Sequence, residues 1–279
     1  MLLLGLLGAG CERSESALPP VADAPDTARV VSLSPGVTAT LAALGAEDLL
    51  VGRTPWCVGA PNTPAVGTLL DVDAEALVRA KPTVIFVQPA AQGIPSTLVE
   101  LAQAHGWSVV PIPLATLADC RRAVKDVSTV CMPLCSDERR LQMQREASRL
   151  GAAFDAAVAP LPGSAGKRVL AVVCGEEGAD LLAFGTESYL MEVLQAQGFA
   201  PALERVGYQS LGNEDLLRTN PDIVILLGRQ MTDARFDTPT AGGAKVVRLD
   251  EPALLQPGGG ITESLLRMRS RLASEVQVP

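Results

Sequence analysis

SDERRLQMQREASRLGAAFDAAV, residues 136–158, is the stretch from which the fold of this chain is read. Met143, Ala147, Leu150, Phe154, Val158 and Leu161 recur at steps of three or four, the spacing of one apolar helix face. Ser136 is placed to cap the helix, and Asp137 and Glu138 put negative charge in its first turn, where the helix dipole favours it. Pro160 and Pro162 stop it. About 22 residues rising about 1.5 Å each make a helix roughly 30 Å long, the width of a small domain.

The sequences on its two sides resemble each other. Glu75-Ala-Leu-Val-Arg-Ala-Lys-Pro-Thr-Val-Ile-Phe precedes the helix and Glu214-Asp-Leu-Leu-Arg-Thr-Asn-Pro-Asp-Ile-Val-Ile follows it. Glu, Leu, Arg and Pro coincide at a constant offset of 139 positions, and the same offset pairs Arg29-Val30-Val31 with Arg168-Val169-Leu170. Two similar lobes joined by one long helix explain one offset held across separate segments.

Strand and helix patterns alternate with short connections on both sides, which implies an α/β fold with mostly parallel sheets. In the first lobe, strands are expected at 29–33, 49–52, 83–87 and 108–112, and helices at 38–44, 74–80, 96–105 and 117–130. The second lobe repeats the plan, with strands at 168–174, 182–185, 222–227 and 245–249 and helices at 189–197, 213–219 and 262–274. Gly258-Gly-Gly, before the last helix, reads as a mobile or close-packed loop. Residues 29–135, 136–159 and 160–279 are the N-terminal lobe, the connecting helix and the C-terminal lobe.

Composition agrees: 279 residues, 48% hydrophobic and only 3% aromatic, suit buried strands under small-residue helices. A net charge of −8 without basic clusters argues against a nucleic-acid partner. No run of about 20 apolar residues is present to span a membrane. Residues 1–11, MLLLGLLGAGC, read as an export signal ending at a lipoprotein cleavage site, with Gly8, Ala9 and Gly10 before Cys11. The alternative is an apolar N-terminus without that processing. Residues 12–28 are rich in Ser, Ala, Pro and Asp and read as a flexible tether. The chain is then attached through Cys11 to a membrane surface, in the periplasm or at the cell surface, by lipid alone.

Six cysteines are present, Cys11, Cys57, Cys120, Cys131, Cys135 and Cys174. Cys131-x-x-x-Cys135 is open to a metal or a bridge, but no second cysteine pair or histidine supports the metal. A disulfide among Cys120, Cys131 and Cys135 is an option in an oxidising compartment. Cys57 and Cys174 read as buried single thiols.

No catalytic arrangement is legible. The single histidine, His105, ends a helix before Gly106, where a surface or capping role fits, and no nucleophile elbow or phosphate loop is found. In α/β sheets ligands bind beyond the carboxyl ends of the strands, and in two-lobe proteins at the lobe boundary. The loops expected there hold Ser34, Pro35, Trp56, Leu69, Leu70, Gln88, Glu176, Glu177, Tyr189, Tyr208 and Arg229. Three of the four Trp and Tyr residues fall among them; Trp107, just before a strand, reads as core.

With these residues placed, the sequence resembles the solute-binding proteins of cobalamin, haem and ferric-siderophore uptake, the helical-backbone class. The likeness covers about 29–275 and rests on Arg29-Val-Val-Ser-Leu-Ser-Pro, Leu49-Leu-Val-Gly, Asp73-Ala-Glu-Ala-Leu with Lys81-Pro-Thr-Val-Ile, Gly185-Thr-Glu-Ser, Asn220-Pro-Asp-Ile-Val-Ile and Pro257-Gly. It implies two Rossmann-like lobes on a rigid helix and no enzymatic activity or cofactor. It further implies a monomer that captures a corrinoid or metal chelate and delivers it to the membrane subunits of an ABC importer. By the pattern of the cobalamin receptor, Trp56 and Tyr208 take the places of ligand-stacking aromatics, and Glu75 and Glu214 those of paired docking carboxylates. The other classes open to the sequence are an exported lipoprotein that binds another protein or a glycan, and an exported enzyme on the same scaffold.

Overall fold

The structure, a computed structural model, describes residues 28–173, 180–228 and 243–276. Cys11 with the signal and tether residues up to 27, Cys174, Glu176, Glu177 and Arg229 lie outside the described residues.

The first lobe runs β1 (Val30–Leu33), α1 (Pro35–Ala43), β2 (Leu50–Arg53), α2 (Ala74–Ala80), β3 (Val84–Val87), α3 (Ser96–His105), β4 (Ser108–Pro111) and α4 (Leu117–Cys131). Its sheet has the order β2-β1-β3-β4 and is parallel throughout. β1 and β3 are buried along their whole length, as unbroken apolar runs covered on both faces must be.

α5 (Asp137–Val158) follows, capped by Ser136, whose hydroxyl accepts from the Arg139 N–H. Met143, Leu150, Phe154 and Ala157 are buried on it, and Ala147 and Val158 pack against the same core. That core is continuous from Val30 and Phe86 in one lobe, through the buried face of α5, to Val169, Ile225 and Leu265 in the other.

The second lobe runs β5 (Arg168–Val173), β6 (Leu181–Phe184), α6 (Tyr189–Ala196), β7 (Ala200–Pro201), β8 (Tyr208–Leu211), α7 (Asn213–Thr219), β9 (Ile223–Leu227), β10 (Lys245–Leu249) and α8 (Thr262–Val276). The internal repeat is visible in the strand registers. Val30 stands opposite Val84 in β1–β3, and Val169 opposite Ile223 in β5–β9, each pair one repeat apart. Even the side contacts recur: the Arg29 N–H donates to Thr83 Oγ1 at 2.9 Å, and the Arg168 N–H to Asp222 Oδ2 at 2.7 Å.

The repeat breaks in one place. β6 lies antiparallel to β5 and carries antiparallel β8 at the sheet edge. Two-residue β7, parallel to β5, comes after α6 as β2 comes after α1. The second lobe is therefore mixed where a simple repetition of the parallel plan was expected.

The lobes touch closely. Gly36 at the start of α1 lies against the Pro257 carbonyl, with no room for a Cβ, and the Gly259 N–H donates to Thr40 Oγ1 at 2.8 Å. The expected loop of glycines is thus close-packed. On the other side Glu192 of α6 accepts from the Leu117 N–H at 2.6 Å, and the Tyr189 N–H donates to the Ala115 carbonyl at 2.9 Å. A continuous core, a helix without a break and these ties offer no hinge among the described residues. Scattering from protein with and without ligand is therefore expected to superimpose, the radius of gyration changing by less than about 1 Å. A change of several ångströms refutes a rigid pair of lobes.

Candidate functional site

The loop after β2 is built to hold an aromatic ring out from the lobe. Arg53, half-buried, donates through Nε to the Ala60 carbonyl at 2.8 Å and through Nη1 to the Thr54 carbonyl at 3.0 Å. Cys57 is buried, its sulfur 3.1 Å from Thr38 Oγ1 and 3.3 Å from Thr54 Oγ1. Between these anchors Trp56 is 71% exposed, although a free indole would be expected to bury itself. Its carbonyl accepts from Gln256 Nε2 of the other lobe at 3.3 Å, so the loop that carries the ring reaches the lobe boundary. Leu70 is exposed, and Leu69 is half-buried against the small core beneath α2 and α3.

At the ends of β1 and β3 the polar pair Ser34–Gln88 is already engaged. Ser34 is buried; its hydroxyl caps α1 by accepting from the Val37 N–H at 3.4 Å and donates to Gln88 Oε1 at 3.1 Å. Pro35 opens α1. Gln88 and Pro35 are half-buried and retain surface, whereas Ser34 does not.

From the second lobe comes an aromatic series that the sequence did not display as one. Phe184 and Tyr208 are opposite each other in the β6–β8 pairing, their rings 5.2 Å apart at 61°. Phe184 also meets Tyr189 edge-on at 5.9 Å. Tyr208 is 47% exposed, whereas Tyr189 is 1% exposed and forms the backing of the series. Tyr208 opens β8 rather than lying in a loop, and Tyr189 opens α6, at the residue where the sequence pattern starts that helix. The Tyr189 hydroxyl has no hydrogen-bond partner among the described residues. Burial raises its pKa well above the usual phenol range, with smaller contributions from the nearby Tyr208 and Cys120. Burial raises Tyr208 as well, and again Cys120 adds to it. Through Phe184, Tyr208 adjoins Tyr189, whose N–H donates to the Ala115 carbonyl of the first lobe, so Tyr208 lies on the side of its lobe that meets the first. Each lobe thus contributes one exposed aromatic ring on the side where the two meet.

The structure decides between the options the sequence left open for the thiols. Cys120 and Cys131 are free and fully buried, so no disulfide joins the Cys120, Cys131 and Cys135 group. Burial pushes Cys120 up to about 12, with a Gly258 backbone hydrogen bond opposing it. Burial, then Cys135, pushes Cys131 up to about 12. Both thiols should resist alkylation in native protein at pH 8 and react once guanidinium unfolds it. Because the unfolded thiols ionise near pH 9 and the folded ones do not, folding stability should be intact below pH 9 and fall as pH rises from about 9 towards 12. Rapid alkylation of both in native protein would refute their burial. No cluster of three or more His, Cys, Asp or Glu side chains occurs among the described residues.

His105 is exposed and stacks on half-buried Trp107, 4.6 Å apart at 14°. A cavity of about 570 Å³ lies on the flank of the lobe boundary between α1, α5 and residues 252–263. It touches Val58 and Gly59 but neither Trp56 nor Tyr208. Glu75 and Glu214 are almost fully exposed, and among the described residues each pairs with an arginine one helical turn on, Arg79 at 3.6 Å and Arg218 at 3.4 Å.

A family model described as periplasmic binding protein matches residues 30–239, well over half of the chain. A search of curated proteins finds no significant sequence match. Among solved structures, the periplasmic heme-binding protein RhuT from Roseiflexus sp. RS-1 superimposes with a TM-score of 0.68 at 19% identity, covering 90% of this chain and 100% of that one. The periplasmic heme-binding protein HutB of Vibrio cholerae gives 0.69 at 20%, covering 88% and 99%. The periplasmic vitamin B12 binding protein BtuF of Vibrio cholerae gives 0.68 at 15%, covering 91% and 99%. At these identities the likeness is one of fold.

Proposed function

The chain belongs to the periplasmic binding protein family, and from that premise we propose that it is the extracytoplasmic solute-binding component of an ABC importer. Its ligand is a corrinoid or metal chelate (cobalamin, haem or a ferric siderophore) held at the lobe boundary. One observation carries the choice of ligand class: each lobe presents one exposed aromatic ring there, Trp56 on a braced loop and Tyr208 on an aromatic backing. Flat faces that cost little entropy to fix suit a wide, planar or macrocyclic ligand. Haem-binding and B12-binding proteins share the fold, which agrees with that class.

In this reading Pro35, Leu69 and Gln88 edge the site from the first lobe, and buried Ser34 acts from behind by holding Gln88. Tyr189 acts from behind Tyr208 and does not touch the ligand, because it has no surface to offer. Arg229, the remaining candidate, lies outside the described residues. Glu75 and Glu214 dock the loaded monomer on the importer, and Cys11 carries its lipid anchor.

Titration with haemin and with cyanocobalamin, followed by ligand absorbance, tests the proposal. One of the two is expected to bind. Trp56→Ala or Tyr208→Ala should then weaken binding by about 1–3 kcal/mol, roughly 5- to 150-fold. Unchanged affinity in both variants would move the site elsewhere, and no binding of either probe would remove these two ligands from the class.

A further inference from the structure

Beyond Tyr208 the second lobe continues into a short polar edge. β6 and β8 pair antiparallel, with Phe184 opposite Tyr208 and Leu182 opposite Ser210. Residues two apart on a strand share a face, so Leu182 and Ser210 lie on the side that carries Tyr208. They also lie towards the carboxyl end of β5, since Phe184 is opposite Ala171 and Leu182 opposite Val173, the last residue of that strand. That is the end of such a sheet at which ligands bind. Leu182 is 45% exposed and widens the apolar surface of Tyr208. Just past it stands exposed Asp180, whose Oδ2 accepts from the Ser210 hydroxyl at 2.9 Å. No cation pairs with Asp180 among the described residues.

The fold does not need the charge. An asparagine would accept the same proton from Ser210 and tie the same two strands. A carboxylate differs from it in carrying a charge and in having no hydrogen to give.

The first lobe offers the opposite chemistry. The Ser34 hydroxyl accepts from the Val37 N–H at 3.4 Å, and its one proton goes to Gln88 Oε1 at 3.1 Å. Held by its oxygen, Gln88 is left with its amino group, whose hydrogens have no partner among the described residues. Gln88 directly follows the carboxyl end of β3. One edge of the site therefore gives hydrogen bonds and the other takes them.

We infer that Asp180 is a specificity-determining residue and that, with Gln88, it selects a flat or macrocyclic ligand rimmed by primary carboxamides. A carboxamide accepts from Gln88 through its oxygen and donates to Asp180 through its nitrogen. A rim of carboxylates satisfies Gln88 but sets charge against charge at Asp180. The chain's net charge of −8 adds to that repulsion. The inference rests on the ligand site proposed above and adds the rim chemistry that the site admits.

The test is titration of the full chain, and of Asp180→Ala, Asp180→Asn and Trp56→Ala, with cyanocobalamin, which carries such carboxamides, and with haemin, which carries carboxylates instead. Ligand absorbance reads binding, and circular dichroism checks that each variant keeps its fold. The parent is expected to bind cyanocobalamin at least about tenfold more tightly than haemin. Asp180→Ala should weaken cyanocobalamin about tenfold, the scale for losing a charged hydrogen-bond acceptor. Asp180→Asn keeps an acceptor and loses the charge, so it should retain most of that affinity and tighten haemin about tenfold. Failure of cyanocobalamin to bind, or haemin bound as tightly by the parent, overturns the carboxamide rim. Affinities indifferent to both Asp180 variants, while Trp56→Ala still weakens binding, overturn the role of Asp180 and leave the site at the lobe boundary standing. Binding that Trp56→Ala leaves unchanged removes that site and this inference with it.

Discussion

Replacing Gly36 with alanine should be among the most damaging single-methyl additions in this protein. A Cβ at that position would sit 1.8 Å from the Pro257 carbonyl oxygen and 2.8 Å from Leu114 Cδ1. The oxygen belongs to backbone and cannot rotate away. Its neighbour Gly258 is itself pressed against the Gly36 carbonyl, and Gly259 is tied to Thr40. Relief requires α1 to back away from residues 257–260, which opens the contact between lobes. Overpacking ordinarily costs about 1–3 kcal/mol, and with backbone on both sides the upper end applies. For a chain of this size that is a Tm loss of roughly 5–10 °C. Gly151→Ala is the matched control. Gly151 lies within α5 with nothing near a new Cβ, so alanine should stabilise the protein by up to about 1 kcal/mol. Calorimetry that found the two variants equal would refute the close interlobe contact.

That contact shows why some of the fold could be read from the sequence and some could not. Local and repeated features were legible. Periodicity placed α5, because its buried residues recur at helical spacing, and the constant offset between Glu75 and Glu214 anticipated the one register shared by β1–β3 and β5–β9. Strand direction was not legible. Leu181–Phe184 is an apolar run of the kind found in parallel and antiparallel strands alike, so the reversal of β6 and the edge position of β8 emerge only from the partners they find. Tyr189 was misjudged although the signal was present. Tyr189 and Val193, like Leu190 and Leu194, are four residues apart and all four are buried, so the tyrosine belongs to a helix face turned inward. Trp56 shows the opposite limit. Nothing in its immediate sequence says that Arg53, Cys57 and Thr38 hold its loop so firmly that the indole stays outside.

The double variant Glu75→Ala, Glu214→Ala is expected to bind ligand as the parent does and to fail in transport. A helix-dipole role for these carboxylates is the competing account, and it predicts a modest stability loss of about 0.3–1 kcal/mol each. The two sites separate the accounts. At α2, Asp73 already caps the helix by accepting from the Ala76 N–H at 2.9 Å, so Glu75 is not needed there. At α7 the cap is Gly212, which has no side chain to offer, so Glu214 is the more useful charge to its helix. A dipole role therefore predicts unequal melting losses, larger for Glu214→Ala, and normal uptake. Docking predicts equal losses of uptake, since each carboxylate meets one half of a paired partner. Truncating one member of a charge pair that becomes buried on association costs about 2 kcal/mol or more, so each single variant should lose at least about tenfold in receptor–importer affinity. Uptake into vesicles containing the importer, measured beside ligand affinity and Tm, reads all three quantities. Normal uptake by the double variant, with Glu214→Ala alone melting lower, would establish the dipole role and end the docking one.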